Sequence, residues 1–285
     1  AEAVSRGLIF IIIIILAGVA PTVPNMMGAF VVGNLLLLIM NVGFAQKYAP
    51  VKLAWDGKII KAYISRSWPI AISIFFNLLY LKGDIIFLSF YRDTAEIGLY
   101  GAAYKVLDVV SVIPTMFMGL ILPLLVREWS ARSTKKVHEL LQQALDFFGL
   151  MGFPMLGGTL ILATPIMTLI AGAEFEGSGE YLQILMIANT VVFFGVLFGH
   201  AIVGINKQKF ILPAYIITAI VTTILYLITI PRFGALGAAW STVAAEILIA
   251  LMTTSTVMYF TKFRPRLRNT FVYLISTALM TTLVW

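Results

Sequence analysis

The chain alternates long apolar blocks with short polar stretches. Apolar blocks cover residues 8–23, 26–44, 67–91, 98–126, 140–171, 179–203, 210–230 and 236–260, with a last one from residue 270 onward. At a rise of about 1.5 Å per residue, blocks of this length match or approach the roughly 30 Å hydrocarbon core of a bilayer. The pattern predicts an all-α polytopic membrane protein with eight complete transmembrane helices and a ninth that is truncated. Because the last block stops at Trp285 without a polar flank, a piece of a longer polypeptide is expected.

Residues 46–66 break the pattern. Lys47, Lys52, Lys58, Lys61 and Arg66 interleave with Leu53, Trp55, Ile59, Ile60, Tyr63 and Ile64. This mixture predicts a basic amphipathic helix in the membrane interface, its lysine stems lying along apolar surface. Pro69 is expected in the first turn of the following helix, where proline is tolerated. Pro114, Pro123, Pro154 and Pro165 fall inside blocks and predict kinks.

Composition supports the membrane reading, since 60% of residues are hydrophobic, 12% are charged and the mean hydropathy is +0.98. With no cysteine, disulfides and thiolate metal sites are excluded, and the two histidines, His138 and His200, are far apart, so no metal or other cofactor is expected. The net charge of +7 does not point to nucleic acid, because the basic residues are confined to particular loops. Sixteen of the twenty lysines and arginines fall in alternate loops, Arg92 and Arg232 fall in the opposite set, and Lys82 and Lys105 lie inside blocks. The positive-inside rule places the basic loops in the cytoplasm and loops 92–97, 172–178 and 231–235 outside.

Within residues 67–127, two apolar blocks flank a short polar turn yet contain Lys82, Asp84, Lys105 and Asp108. A charge near the middle of a bilayer costs at least about 2.5–3.5 kcal/mol, so such residues normally face protein or a wet cavity. Counted from the outer helix ends, Lys82, Asp108 and Glu246 lie roughly 15 Å deep and Lys105 roughly 11 Å, one layer of ionisable groups. Lys105 and Asp108 share a helix face, whereas Lys82 and Asp84 point nearly opposite ways. Two readings of the layer stay open. In one, Lys82 and Lys105 attract an anion while Asp84, Asp108 and Glu246 temper the charge or carry protons. In the other, Lys82 pairs with Asp108, or Lys105 with Asp84, between adjacent helices. Asn77, Tyr80 and Asn189 are candidate sugar contacts, polar at depth; Asp146 and His200 read as interfacial.

Residues 21–48 and 231–263 show a weak repeat: each opens on a proline, runs through a glycine cluster (Gly28, Gly237) and ends near a lysine or at a basic loop. Repeats of this kind occur in secondary transporters. The run Glu96-Ile97-Gly98-Leu99-Tyr100-Gly101-Ala102-Ala103-Tyr104-Lys105, following Asp84, resembles polysaccharide-unit flippases of the Wzx type. So does the run Gly234-Ala235-Leu236-Gly237-Ala238-Ala239-Trp240 with Glu246 behind it, which is similar to their twelfth span. The resemblance implies the multidrug/oligosaccharidyl-lipid/polysaccharide exporter superfamily, in which two six-helix lobes surround a central cavity. Residues 1–45 would then be the last two helices of the first lobe and 46–66 a cytoplasmic amphipathic linker. Residues 67–261 would form the second lobe, and 262–285 a basic loop with the start of an additional helix.

The resemblance further implies a non-enzymatic protein of the bacterial cytoplasmic (inner) membrane. It would flip lipid-linked oligosaccharide, an undecaprenyl diphosphate, across the bilayer beside other polysaccharide-assembly membrane proteins. An exporter of another cargo, such as the peptidoglycan lipid precursor or a drug, remains open. A membrane polymerase or acyltransferase is the reading from a different class; no histidine–carboxylate cluster or phosphate-binding glycine motif supports it.

Overall fold

The computed structural model describes residues 2–19, 22–48 and 56–284. Pro21 and the stretch 49–55, with Lys52, Leu53 and Trp55, lie outside the described residues. All the regular structure described is helical. In order it comprises α1 (Glu2–Val19), α2 (Val23–Tyr48), α3 (Gly57–Tyr91), α4 (Thr94–Val110), α5 (Val112–Ser130), α6 (Thr134–Ala171), α7 (Ser178–Gly204), α8 (Ile211–Thr261) and α9 (Arg268–Val284). Five helical stretches among the described residues are long and apolar enough to cross a membrane: Met27–Gln46, Thr94–Ser130, Thr134–Ala171, Ser178–Gly204 and Gln208–Thr261.

The chain divides into two compact units, Ala1–Arg66 and Ser67–Trp285. In the first, α1 packs on α2, and Gly33 makes the approach possible because a Cβ there would overlap the side chain of Ile9. In the second, α7 is the central helix and packs against α4, α5, α6 and α8. Its core contains Phe193, Leu197, Leu182 and Leu185, all fully buried. α9 lies along α6, where Gly157 leaves room for Thr277; a Cβ at Gly157 would stand 2.5 Å from the threonine methyl.

Three expectations about helix boundaries change. Residues 57–66 do not form a helix of their own: they are the opening turns of α3, which runs on through Pro69, its thirteenth residue. The block at 98–126 is interrupted at Ser111, between α4 and α5. Pro114 explains this, since proline has no N–H for residue 110 and its ring crowds that carbonyl, while at the third position of α5 it needs no partner. Pro123, Pro154 and Pro165, by contrast, lie within helices that continue through them.

The third change is in α8. The expected loop at 231–235 shrinks to a reversal at Gly234, which takes φ 57° and ψ −136°, far from helical values. The Tyr226 hydroxyl reaches Thr242 Oγ1 at 3.3 Å, and Thr229 Oγ1 reaches Ser241 Oγ at 2.9 Å. In a straight helix residues 226 and 242 would be about 24 Å apart. α8 is therefore a hairpin with two antiparallel arms.

Side-chain contacts place the loops of the second unit at two ends. At one end Arg92 and Glu96 reach Ile230, Pro231 and Ala235, and Leu99 lies beside Gly177. At the other, His138 meets the Thr261 carbonyl, Gln142 meets the Arg266 backbone and Lys207 lies over Phe260. Loops rich in lysine and arginine share one end, and the poor ones share the other.

Candidate functional site

Two adjoining cavities lie among α3, α4, α5, α7 and α8 of the second unit. One, of about 230 Å³, has Lys82, Tyr104, Asp108, Ser111, Asn189 and Glu246 in its wall. The other, of about 600 Å³, has Tyr80, His200, Tyr215, Glu246 and Thr253. Glu246, Val192 and Val196 line both. The smaller cavity owes its polar wall to helical spacing on α4, where Tyr104, Leu107, Asp108 and Ser111 recur at intervals of three and four and so face one way.

Lys82 and Asp108 form a salt bridge of 2.9 Å across α3 and α4, with side chains 45% and 47% exposed. The ammonium also lies 4.3 Å from the centre of the Tyr104 ring. Glu246 differs sharply: it is 4% exposed, and no hydrogen bond or ion pair reaches it from the described residues. A buried carboxylate without partners is expensive, and its position between two cavities is where a ligand or water could satisfy it.

Asp84 is fully buried and lines neither cavity. Its carboxylate accepts from the hydroxyls of Tyr100 at 2.8 Å and Thr242 at 3.3 Å, from the Ile85 N–H at 2.8 Å, and from Tyr104. It ties α3 to α4 and α8. Lys105 is exposed, lines neither cavity and has no carboxylate within ion-pair reach among the described residues. On α4 it falls to one side of the face that Tyr104, Asp108 and Ser111 turn to the cavity. The structure thus brings Lys82, Asp108, Glu246 and Asn189 together and leaves Asp84 and Lys105 out.

Asn189 is buried, accepts from Ser111 Oγ at 2.5 Å and lines the smaller cavity. Tyr80 is buried, stacks on Tyr215 with ring centres 6.1 Å apart and lines the larger one. Asn77 lies on α3, its side chain outside the described residues. Asp146 accepts from Gln142 and Asn269, a structural arrangement near the α6–α9 contact. His200, expected at the interface, lines the larger cavity with Nδ1 held 2.8 Å from the Val196 carbonyl. Ser111, Tyr215 and Thr253 escape a reading based on charge alone; the spacing of Tyr104, Asp108 and Ser111 is the signal that finds the first.

The chain resembles known proteins along its length. It is 24% identical to a Shigella dysenteriae protein named for O-antigen transport, over 84% of this chain and 59% of that one. It is 23% identical to Agl15 of Haloferax volcanii, named as a flippase of low-salt glycan biosynthesis, over 63% of this chain and 38% of that protein. It therefore spans well under two thirds of these relatives' length. Among solved structures, the lipid II flippase MurJ in an inward closed conformation matches 99% of this chain and 60% of its own, with TM-score 0.79 and 18% identity. A transporter of the MOP superfamily from Pyrococcus furiosus matches 76% of this chain and 50% of its own, with TM-score 0.58 and 18% identity. The second unit's helices and hairpin thus belong to a fold shared with MurJ. Residues 1–180 match the family model described as polysaccharide biosynthesis protein, and the chain belongs to that family.

Proposed function

We propose that this chain is part of a flippase that carries lipid-linked oligosaccharide, an undecaprenyl diphosphate, across the bacterial cytoplasmic membrane during surface polysaccharide assembly. In this reading residues 1–45 close a first lobe, 46–66 link the lobes on the cytoplasmic side, 67–261 form a second six-helix lobe, and 262–285 begin a further helix. Eight spans are complete and one is partial. The family match and the transport and flippase names of the relatives support the class.

One observation carries the substrate reading: the smaller cavity combines a cation that can be given up with a buried acceptor that lacks a donor. The Lys82–Asp108 bridge is half exposed, and such pairs contribute about 0–1 kcal/mol. A diphosphate bearing more charge than one carboxylate can compete for the ammonium. Glu246 and Asn189 offer acceptors to sugar hydroxyls, and Tyr80 and Tyr215 offer ring faces. The same lysine works against a cationic cargo.

The test is export in a bacterial strain lacking its own flippase, using the full-length protein. Glu246→Gln and Lys82→Gln are expected to lower surface polysaccharide at least tenfold at unchanged membrane abundance. Removing a buried unpartnered carboxylate also raises thermal stability in this reading, so Glu246→Gln should unfold at a higher temperature than the parent. Full export by both variants would overturn the proposal.

A further inference from the structure

A third cavity, of about 390 Å³, lies at the lysine- and arginine-rich end of the second unit, between the first turns of α6 and the non-helical segment 262–267. Its size falls within the roughly 300–1,000 Å³ range of small-ligand sites. Lys135, Arg264 and Arg266 line it, and Glu139 is its one carboxylate. None of the three cations has a carboxylate within 4 Å among the described residues. Their neighbours do: Glu128 takes Arg127 at 2.8 Å and Lys136 at 3.7 Å. One carboxylate thus offsets part of the charge of that pair, and the three cations around the cavity, with Glu139 as the one carboxylate in its wall, stay in excess.

The backbone that presents these cations is fixed. Gln142 donates to the Arg266 carbonyl at 3.0 Å and accepts from the Arg266 N–H at 2.8 Å. His138 Nε2 lies 2.8 Å from the Thr261 carbonyl, and Phe263 is buried. Such pre-ordering lowers the entropy lost on binding. Directly after Arg268, α9 turns Phe271, Val272 and Ile275 outward, each more than half exposed. A basic cavity at the end of an exposed apolar helix face has the two-part chemistry of an anionic amphiphile.

We propose that this cavity binds the phosphate headgroup of an anionic membrane phospholipid, whose acyl chains lie along α9. The site is separate from the central cavities, so it stands or falls independently of what they carry. Lys135, Arg264 and Arg266 supply the positive charge, and Glu139 limits it, favouring a singly or doubly charged headgroup.

Native mass spectrometry of the delipidated full-length protein, titrated with dioleoylphosphatidylglycerol or dioleoylphosphatidylcholine, tests this. The anionic phosphatidylglycerol is expected to bind its first site at least tenfold more tightly. Each cation near a lipid surface is worth about a fivefold change in affinity, so Lys135→Gln with Arg264→Gln and Arg266→Gln should weaken that binding by more than tenfold. Lys207→Gln with Lys209→Gln, in another basic loop, should change it less than twofold. If the triple variant does not purify, Arg264→Gln and Glu139→Gln decide the matter, the first weakening and the second tightening binding. Equal binding of the two lipids, an unaffected triple variant, an equal loss in the control, or a failure of those two single variants to shift binding in opposite directions would overturn the proposal. Full displacement of the phosphatidylglycerol by millimolar inorganic phosphate would also overturn it, marking a site for the free anion.

Discussion

Glu96 Oε1 accepts a hydrogen bond of 2.6 Å from the backbone N–H of Ala235, the residue at which the second arm of α8 begins. A carboxylate here satisfies one of the unpaired donors of a helix start and faces the positive end of its dipole. One turn away, the Arg92 guanidinium lies 3.5 and 3.4 Å from the carbonyls of Ile230 and Pro231, at the closing turn of the first arm. Each charge caps the helix end of opposite sign. Gly234 between them takes φ 57°, a conformation side chains rarely adopt, and a Cβ there would also push the Glu96 carboxylate from its place.

Capping predicts a result that a simple ion pair does not. Glu96→Ala should cost about 1–2 kcal/mol, the usual loss of a helix cap. Exchanging the two charges, Arg92→Glu with Glu96→Arg, should be worse than either single change, because both then face like dipole ends. Thermal unfolding of the purified protein measures this; recovery in the exchanged variant would reduce the arrangement to the 3.7 Å Arg92–Glu96 pair.

Asp84 sits among the hydroxyls of Tyr100, Tyr104 and Thr242 rather than in a cavity. Asp84→Ala strands those buried hydroxyls at about 1–3 kcal/mol for each that finds no other acceptor, and should appear as poor membrane abundance. Asp84→Asn keeps an acceptor oxygen and should retain most abundance and export. An Asn variant that is abundant but inactive would return Asp84 to the transport site.

Lys82 and Asp108 are the counterpart on the cavity side. Because the pair is half exposed, Lys82→Gln, Asp108→Asn and the double variant should each shift stability by less than about 1 kcal/mol. Lys82→Arg is expected to keep much of the export, since in the proposed site positive charge is what an anion would meet. Lys82→Gln should remain inactive even when combined with Asp108→Asn. Export restored by the double variant would make the pair a packing element.

The two-ended arrangement of loops is open to direct labelling. Cysteines replacing Glu174 and Arg132, both exposed, should react from opposite sides of the membrane, the first from outside. Ser178, the last residue of the loop expected at 172–178, is fully buried beside Gly179, where an added Cβ would stand 2.9 Å from the Thr164 backbone, and is a poor choice of probe. Reaction of both introduced cysteines from one side would refute the alternation.

Apolar block length was enough to recover most helices, because a bilayer-length run of apolar residues has few other stable conformations. Helix ends were less legible. Pro69 suggests a start near residue 67, yet in the structure α3 begins ten residues earlier and runs on through the proline. Charge at depth located the region of the site but not its members. Lys105 and Asp108 are three residues apart, and which of them meets the cavity depends on how α4 is rotated, a property set by packing of Tyr100, Ala103 and Leu107. Asp84 and Glu246 look alike in sequence; only the hydroxyls around one and the empty surroundings of the other tell them apart.

The reversal in α8 also limits how the second unit can deform. Near Gly234 the arms are stitched by Thr229, Gly237 and Ser241, and both helix ends are clamped by Arg92 and Glu96. Twelve residues along the second arm from that fold stands Glu246. With the arms fixed at the fold like tongs held at the hinge, any parting of them would be smallest at Gly234 and would grow along their length past Glu246. Widening of the cavity wall at Glu246 would then require no bending within either arm, only leverage about a single residue.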